Sequence, residues 1–343
     1  MPTTAKRRFH YKHFFLKTLL LGMSLWQGMA LYLHQPLGTL FSYLAIFVIV
    51  AVTVVLIAWR QVPKRKWLTA AYITSFVACL AWFFSLTPQH QRQWQADVSQ
   101  VLDYHQQGNI VTLNNVRNFD WRSETDFTAR WETRQYNLKN IKGVNVITSY
   151  WMGPAIAHTL VSFDFSDQAP LVFSIEIRKE QHESFSAIGG FFRQYELSLI
   201  AADEKDIVYT RSNVRGEQVY FFPIQGLSQM QMQDLFLQYL QQAQQLQQQA
   251  SWYNTLFSNC TTIVYDMARH VSDYPLPLDW RLLASGYLPN YLHDLKAIDA
   301  QWDMQTWYQK AHVNPKTPYE HAWDSASYSA AIRADLPISS AKR

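Results

Sequence analysis

Three apolar runs crowd the first 86 residues, and no other feature restricts the architecture of the chain so strongly. Run one covers residues 14–33 with Lys17 as an interruption, run two covers 40–59 without a charge, and run three covers 67–86. Each is close to the ~20 residues that a helix needs to cross hydrocarbon. Hydropathy of this kind predicts three transmembrane helices rather than three buried soluble ones. The basic start ahead of run one (Lys6, Arg7, Arg8, Lys12) also suits a signal peptide, but no small-x-small cleavage site follows and two further spans come at once. An uncleaved first span fits better.

Loop charges orient these spans. Loop 60–66, "RQVPKRK", carries four basic residues and no acid, whereas "HQPLG" between runs one and two has neither Lys nor Arg. The positive-inside rule then puts the N-terminus and loop 60–66 in the cytoplasm of a bacterium and everything after Leu86 in the periplasm. The expected division is a membrane region at 1–86, a connecting segment at 87–115 and a periplasmic α+β domain at 116–343. The net charge of +4 owes much to the two basic clusters near the N-terminus, and no long basic stretch is interleaved with aromatics. Nucleic acid is therefore not an expected partner; the lipid bilayer is.

Beyond Thr87 the composition is that of a globular domain. "TPQHQRQWQADVSQVLDYHQQ" reads as an exposed helical connection, and "GNIVTLNNVRNFDWRSE" as a short strand and loop. Another strand is expected at 144–150. "AHTLVSFDF" and "LVFSIEIRKE" form a hairpin across "SDQAP". Period-two geometry puts His158, Leu160, Ser162 and Asp164 on one face of the first strand, and Ser174, Glu176 and Arg178 on one face of the second. Closure near Asp167 sets His158 opposite Glu176 or Arg178. Gly189 and Gly190 signal a turn, the stretch after it reads as one strand ending at Asp203-Glu204 or as a strand and a short helix, "VRGEQVYFFPI" reads as a further strand, and a helix begins near Ser228, with its Gln-rich stretch as the solvated face. No Cys-x-x-Cys and no clustered histidine spacing suggests a metal, and no cofactor is expected.

Of the two cysteines, Cys79 falls in run three and Cys260 in "WYNTLFSNCTTIVYDMAR". Two cysteines make no disulfide framework. An unpaired thiol in an oxidising compartment needs a reason. Ser258 or Asn259 suits a helix N-cap, which sets Cys260 in the first turn, where the helix dipole favours a thiolate. An imidazole base and an orienting group complete such a site, and His158 with Glu176 fit those roles. Plainer readings stand beside this one. A single cysteine is usually a small buried hydrophobe. Glu176 and Arg178 also fit a surface pair, and Asp203, Glu204, Asp206 and Arg211 an internal ion network.

"AHTLVSFDF", "SIEIRKE", "GGFFRQYELSLIAADEKDI", "WYNTLFSNCTT" and "DWRLLASGYLPNYLHDL", in that order, resemble the Lnb N-terminal periplasmic domain family over about residues 116–333. The resemblance implies a circularly permuted papain-like (NlpC/P60-like) fold with an antiparallel sheet packed on helices. It implies Cys260, His158 and Glu176 as catalytic residues, with Asn259, Ser174, Arg178, Tyr195, Glu204 and Arg211 supporting them. It also implies relatives that are bacterial lipoprotein N-acyltransferases. Three functions follow as expectations: a membrane-bound thiol acyltransferase or acyl hydrolase acting on a lipoprotein or phospholipid, a cell-wall peptidase or amidase, or a non-catalytic envelope assembly module.

Overall fold

The computed structural model describes residues 4–59, 63–256, 258–319 and 322–338. The side chains of the basic start, Lys6 to Lys12, and residues 60–62 of the basic loop lie outside that description. The chain divides into two units: residues 1–88 with 186–194, and residues 89–185 with 195–343.

The first unit is built on three helices, α1 (Thr4–His34), α2 (Thr39–Ala58) and α3 (Arg65–Ser85). Each is long and apolar enough to cross a membrane. Gly38, at φ 76°, opens α2 from a left-handed backbone that a side chain would strain. Arg65 closes α2, its guanidinium donating to the carbonyls of Leu56 (2.8 Å) and Trp59 (2.5 Å). Between the helices Trp26 meets Phe76 and Phe83 edge-on, and Gln27 donates to the Ser75 carbonyl at 3.2 Å.

The second unit is a sheet between two layers of helices. Its strands are β1 (Asp103–Gln107), β2 (Ile110–Arg117), the short pair β3 (Asp120–Trp121) and β4 (Phe127–Thr128), β5 (Trp131–Asn137), β6 (Ile141–Tyr150), β7 (Ala157–Phe165), β8 (Leu171–Arg178), β9 (Glu196–Ala202) and β10 (Gln218–Pro223). The main sheet runs β1-β2-β9-β8-β7-β6-β10, with β5 also on β2. The helices are α4 (Glu204–Tyr209), α5 (Gln229–Gln248), α6 (Cys260–Val271), α7 (Leu288–Asp294), α8 (Met304–Lys310) and α9 (Ser325–Ile332). An α+β class was expected and is observed. The expected antiparallel sheet is mixed instead, because β2 meets β9 in parallel at Arg117 and Ala202.

The β7–β8 hairpin has the alternation read from its sequence, yet both of its faces are covered. Val161, Phe163, Phe173 and Ile175 pack with Phe236 and Tyr239 of α5. Leu160, Val172 and Ile200 pack with Ile207 and Val208 of α4 and with Tyr328 and Ile332 of α9. Polar residues on that second face are tolerated because they are paired: Ser162 donates to Glu204 at 2.5 Å and Arg333 donates to Asp164 at 2.5 Å. Residues 87–107 differ from the exposed helical connection expected there. They carry a 3₁₀ turn at Ala96–Val98 and then β1. Val98 packs into one side of the sheet and Leu102 into the other, which one face of a helix cannot achieve.

Candidate active site

Cys260 is the first residue of α6. Asn259 caps the helix, its side-chain oxygen accepting the amides of Thr261 and Thr262, both at 2.9 Å, while Thr262 Oγ1 accepts from the Asn259 amide at 3.1 Å. Such a reciprocal cap contributes ~1 kcal/mol to the helix. It also takes up two first-turn amides. Among the described residues, no acceptor takes the Cys260 amide, so this donor remains for an anion at the sulfur. Thr159 on β7 supplies a further donor, its amide lying 3.5 Å from Cys260 Sγ. The hydroxyls of Thr159 and Thr261 meet at 3.0 Å and lock α6 to β7.

His158 precedes Thr159, and the pairing of Leu160 with Ser174 continues to set it opposite Glu176. His158 Nε2 lies 2.7 Å from Ser174 Oγ and 3.3 Å from Glu176 Oε1. Ser174 donates its one hydroxyl proton to Glu176 Oε1 at 2.7 Å. Ser174 Oγ therefore accepts from His158 Nε2–H. With Nε2 engaged, Nδ1 is the ring nitrogen left for the thiol.

Behind Glu176 stands Arg211, on the π-turn Thr210–Val214 that follows α4. Arg211 Nη2 donates to Glu176 Oε1 at 2.6 Å, and Nη1 donates to Glu217 Oε2 at 3.3 Å. Ser149 donates to the same Glu217 oxygen. A chain of polar contacts thus runs from His158 through Ser174, Glu176 and Arg211 to Glu217, and the His158 ring acts electrostatically on Cys260.

Its electrostatics follow from burial against charge. Burial disfavours the Cys260 thiolate, but the neighbouring His158 cation outweighs it and holds the thiol below its ordinary value. Burial and Arg211 both push the His158 ring down, yet the Cys260 and Glu176 charges raise it to about 9. Burial would raise Glu176; Arg211 first, then His158, hold it well below the usual carboxylate range. The lowered thiol and the raised ring both favour a thiolate–imidazolium pair.

Other expected supporting residues have different places. Tyr195 fastens the loop before Cys260: its carbonyl accepts from the Tyr253 amide at 3.0 Å, and its hydroxyl donates to the Ser184 carbonyl at 2.6 Å. Arg178 is not brought to the thiol. It donates to the carbonyls of Val98 (2.9 Å) and Ser99 (2.8 Å) and lies over the Trp94 ring. Glu204 is fully buried and accepts from Ser162 and Arg333. The internal ion network expected around it is three separate arrangements, with Asp203 on Arg134, Asp206 on Arg117, and Glu204 on Arg333; Arg211 joins none of them.

Several contributors were not read from the sequence. Glu217 and Ser149 lie on elements whose spacing carries no catalytic signal. Ser285 fixes the start of β7 by bonding both the amide (2.9 Å) and the carbonyl (2.6 Å) of Ala157. Beside it, Gly286 is pressed so closely on Pro154 that a Cβ would lie 2.1 Å from the Pro154 carbonyl oxygen.

Residues 127–286 match the family model of the Lnb N-terminal periplasmic domain, which bears out the resemblance carried by the five motifs. His158, Ser174, Glu176, Arg211, Glu217 and Cys260 all fall inside the matched segment. No curated protein and no solved structure matches the chain. Three helices long and apolar enough to cross a membrane, with a segment that matches a periplasmic-domain family, suggest an inner-membrane protein with a periplasmic domain.

Proposed function

We propose that the protein is a membrane-anchored, periplasmic, cysteine-dependent acyltransferase or acyl hydrolase that acts on a lipid or lipoprotein. One observation carries the reading: Cys260 begins a capped helix beside His158, whose ring is held in turn by Ser174 and Glu176. We read this pairing of a sheet-borne histidine with a helix-borne cysteine as papain-like (NlpC/P60-like). Because His158 precedes Cys260 in the chain, we read the domain as a circularly permuted form. Role geometry rather than chain order defines such a site.

In this mechanism the resting thiolate of Cys260 attacks the carbonyl carbon of an ester, forming a C–S bond and an oxyanion. The Cys260 amide is positioned to stabilise that oxyanion. Collapse breaks the ester C–O bond, the leaving alkoxide takes the proton held by His158, and a thioester remains on Cys260. An amine or a water molecule then attacks the thioester. His158 accepts the proton of that nucleophile, and the Cys260 thiolate leaves. Ser174 and Glu176 keep the ring oriented through both halves. Arg211 keeps Glu176 ionised, so the ring retains its partner.

Exposed apolar side chains favour a lipid over a cell-wall peptide. Trp151 and Met152 follow Tyr150, which pairs with Ala157 next to His158. The Trp151 ring meets that of Phe185 at 4.8 Å, and Leu256 stands four residues before Cys260. All four are exposed, and the Trp151–Phe185 pair offers an apolar surface of the kind that suits an acyl chain.

The test is Cys260→Ala in cells, with mass spectrometry of lipoproteins in the membrane fraction. A change in acylation with the protein still folded and abundant supports the reading. Unchanged acylation with altered cell-wall peptides would move the chemistry to a peptidase, and no change in either would leave a binding module. For topology, we infer a cytoplasmic N-terminus. A reporter active only outside the cytoplasm should be on when fused after Thr87 and off when fused at Pro63.

A further inference from the structure

Nine residues between β8 and β9, 186–194, belong to the helical unit rather than to the sheet. They fold into a tight turn at Gly189–Phe191, closed by the Phe192 and Gln194 amides on the Gly189 carbonyl (3.0 and 3.2 Å). Two residues pin this turn to helix ends. The Phe192 ring lies 6.0 Å from Trp26 and 6.2 Å from Phe83, and its carbonyl meets Nε2 of His34, the last residue of α1, at 2.6 Å. Arg193 has the left-handed backbone, at φ 53°, that side-chain-bearing residues seldom adopt. That conformation turns its guanidinium onto the end of α3. Nη1 reaches the carbonyls of Phe83 (3.3 Å), Phe84 (3.2 Å) and Leu86 (3.3 Å) while the group lies over the rings of Phe83 and Phe84. Carbonyls at a helix C-terminus lack helical partners, and a cation there is also favoured by the dipole.

These contacts fix the depth of the turn. A helix just long enough to cross hydrocarbon ends in the headgroup region, and the turn is tied to the ends of two such helices. Two of its apolar side chains, Ile188 (48% exposed) and Phe191 (45% exposed), are left uncovered at that level. Apolar and aromatic side chains at the interface bury in the boundary between headgroups and acyl chains. We propose that residues 186–194 are an interfacial membrane element, with Ile188 and Phe191 resting in the outer boundary of the bilayer that α1 to α3 cross. The turn is then a second stretch of the chain, besides α1 to α3, that meets the membrane.

Nitroxide accessibility in lipid nanodiscs of phosphatidylethanolamine and phosphatidylglycerol tests this with the full chain. Single labels go on Ile188→Cys and Phe191→Cys in a Cys79→Ala, Cys260→Ala background. Phe47→Cys on α2 and Tyr274→Cys, both highly exposed, mark the lipid and water limits. The expected result is oxygen accessibility above, and nickel-chelate accessibility below, the Tyr274 values at both turn positions, with a depth shallower than Phe47. Water-like values at 188 and 191 would overturn the proposal. So would exclusion of both reagents, which would mean that protein covers the turn. A water-like value at Phe47 itself would remove the membrane reading and this element with it.

Discussion

The helical unit and the sheet unit bury polar groups by opposite means. In the helices the buried polar side chains are hydroxyls and an amide: Ser24 meets Thr53 and Tyr72, Thr53 donates to the Ile49 carbonyl at 2.8 Å, and Tyr72 reaches the Leu20 carbonyl at 3.0 Å. No ion pair occurs in the three helices among the described residues. The sheet unit buries whole charges. Asp206, wholly buried, accepts from Arg117 Nε and Nη2, from the Phe119 amide and from Trp121 Nε1, all between 2.8 and 3.0 Å. The solvent of each unit explains the contrast. Hydrocarbon offers no counter-charge or water during insertion, so neutral groups that satisfy themselves on nearby backbone are the affordable ones. A domain that folds from water can bury a charge wherever partners fill its bonding sites. Pairing is not complete in either unit: Ser42 Oγ in the helices, and Arg134 Nη1, Glu196 Oε2 and Arg211 Nε in the sheet unit, have no partner among the described residues.

The largest effect should come from Asp206→Ala, which leaves Arg117 buried and unpaired. A loss of ~3–5 kcal/mol, or roughly 10 °C in apparent Tm followed by tryptophan fluorescence, is expected. A drop of only a degree or two would break the comparison on the sheet side.

Next in size is the reactivity of the thiol. Cys260 should alkylate with iodoacetamide well below pH 8.5, the ordinary thiol value. His158→Ala should slow alkylation at pH 7 by about tenfold or more, since the cation that lowers the thiol is gone and burial then raises it. Glu176→Ala should slow it less, because that carboxylate acts through the ring. A profile indifferent to His158 would reduce Cys260 to a buried hydrophobe.

His158 itself should titrate near pH 9 by NMR of its ring in the intact protein, and lower in Cys260→Ala, where burial and Arg211 are opposed by Glu176 with no thiolate to help. The linked stability has a defined sign. With a folded value above the ordinary 6.5, the contribution of His158 is complete below pH 6.5 and is lost as the pH rises through about 9. Glu176 acts at the other end: its contribution is present above pH 4.5 and is lost as the pH falls through its depressed folded value. A ring that titrates near 6.5 with the thiol present would remove the ion pair from the site.

The smallest effect should be that of Thr53→Val. Hydroxyl bonds between membrane helices average ~0.6 kcal/mol, so the apparent Tm should move by about 2 °C at most. A loss as large as that of Asp206→Ala would mean that the two units do not differ in the way described.

Much of the candidate site is written locally. Asn259 and Cys260 announce a capped helix start within four residues. Period-two spacing in β7 and β8, with a short turn between them, narrows the residue opposite His158 to Glu176 or Arg178, and the observed register selects Glu176. What was not legible comes from distant segments. Arg211 reaches Glu176 across 35 residues because a π-turn after α4 redirects its side chain, and no periodicity encodes that. Arg178, its neighbour in pattern, was drawn away by the carbonyls of Val98 and Ser99.

By itself the sequence determined the elements whose signal lies within one turn or one strand: three apolar helices of spanning length, the hairpin with its alternation, and the thiol at a helix start. Backbone geometry and hydrophobic periodicity act over a few residues, so these survive any arrangement of the rest. Tertiary structure decided which surfaces are covered and which charges meet. It placed α4 and α9 over the polar face of the hairpin, set β2 parallel to β9, split Val98 and Leu102 between the two sides of the sheet, and gave residues 186–194 to the helical unit. Each of these depends on segments far apart in the chain satisfying one another's apolar area and hydrogen bonds, a condition that no local stretch can state.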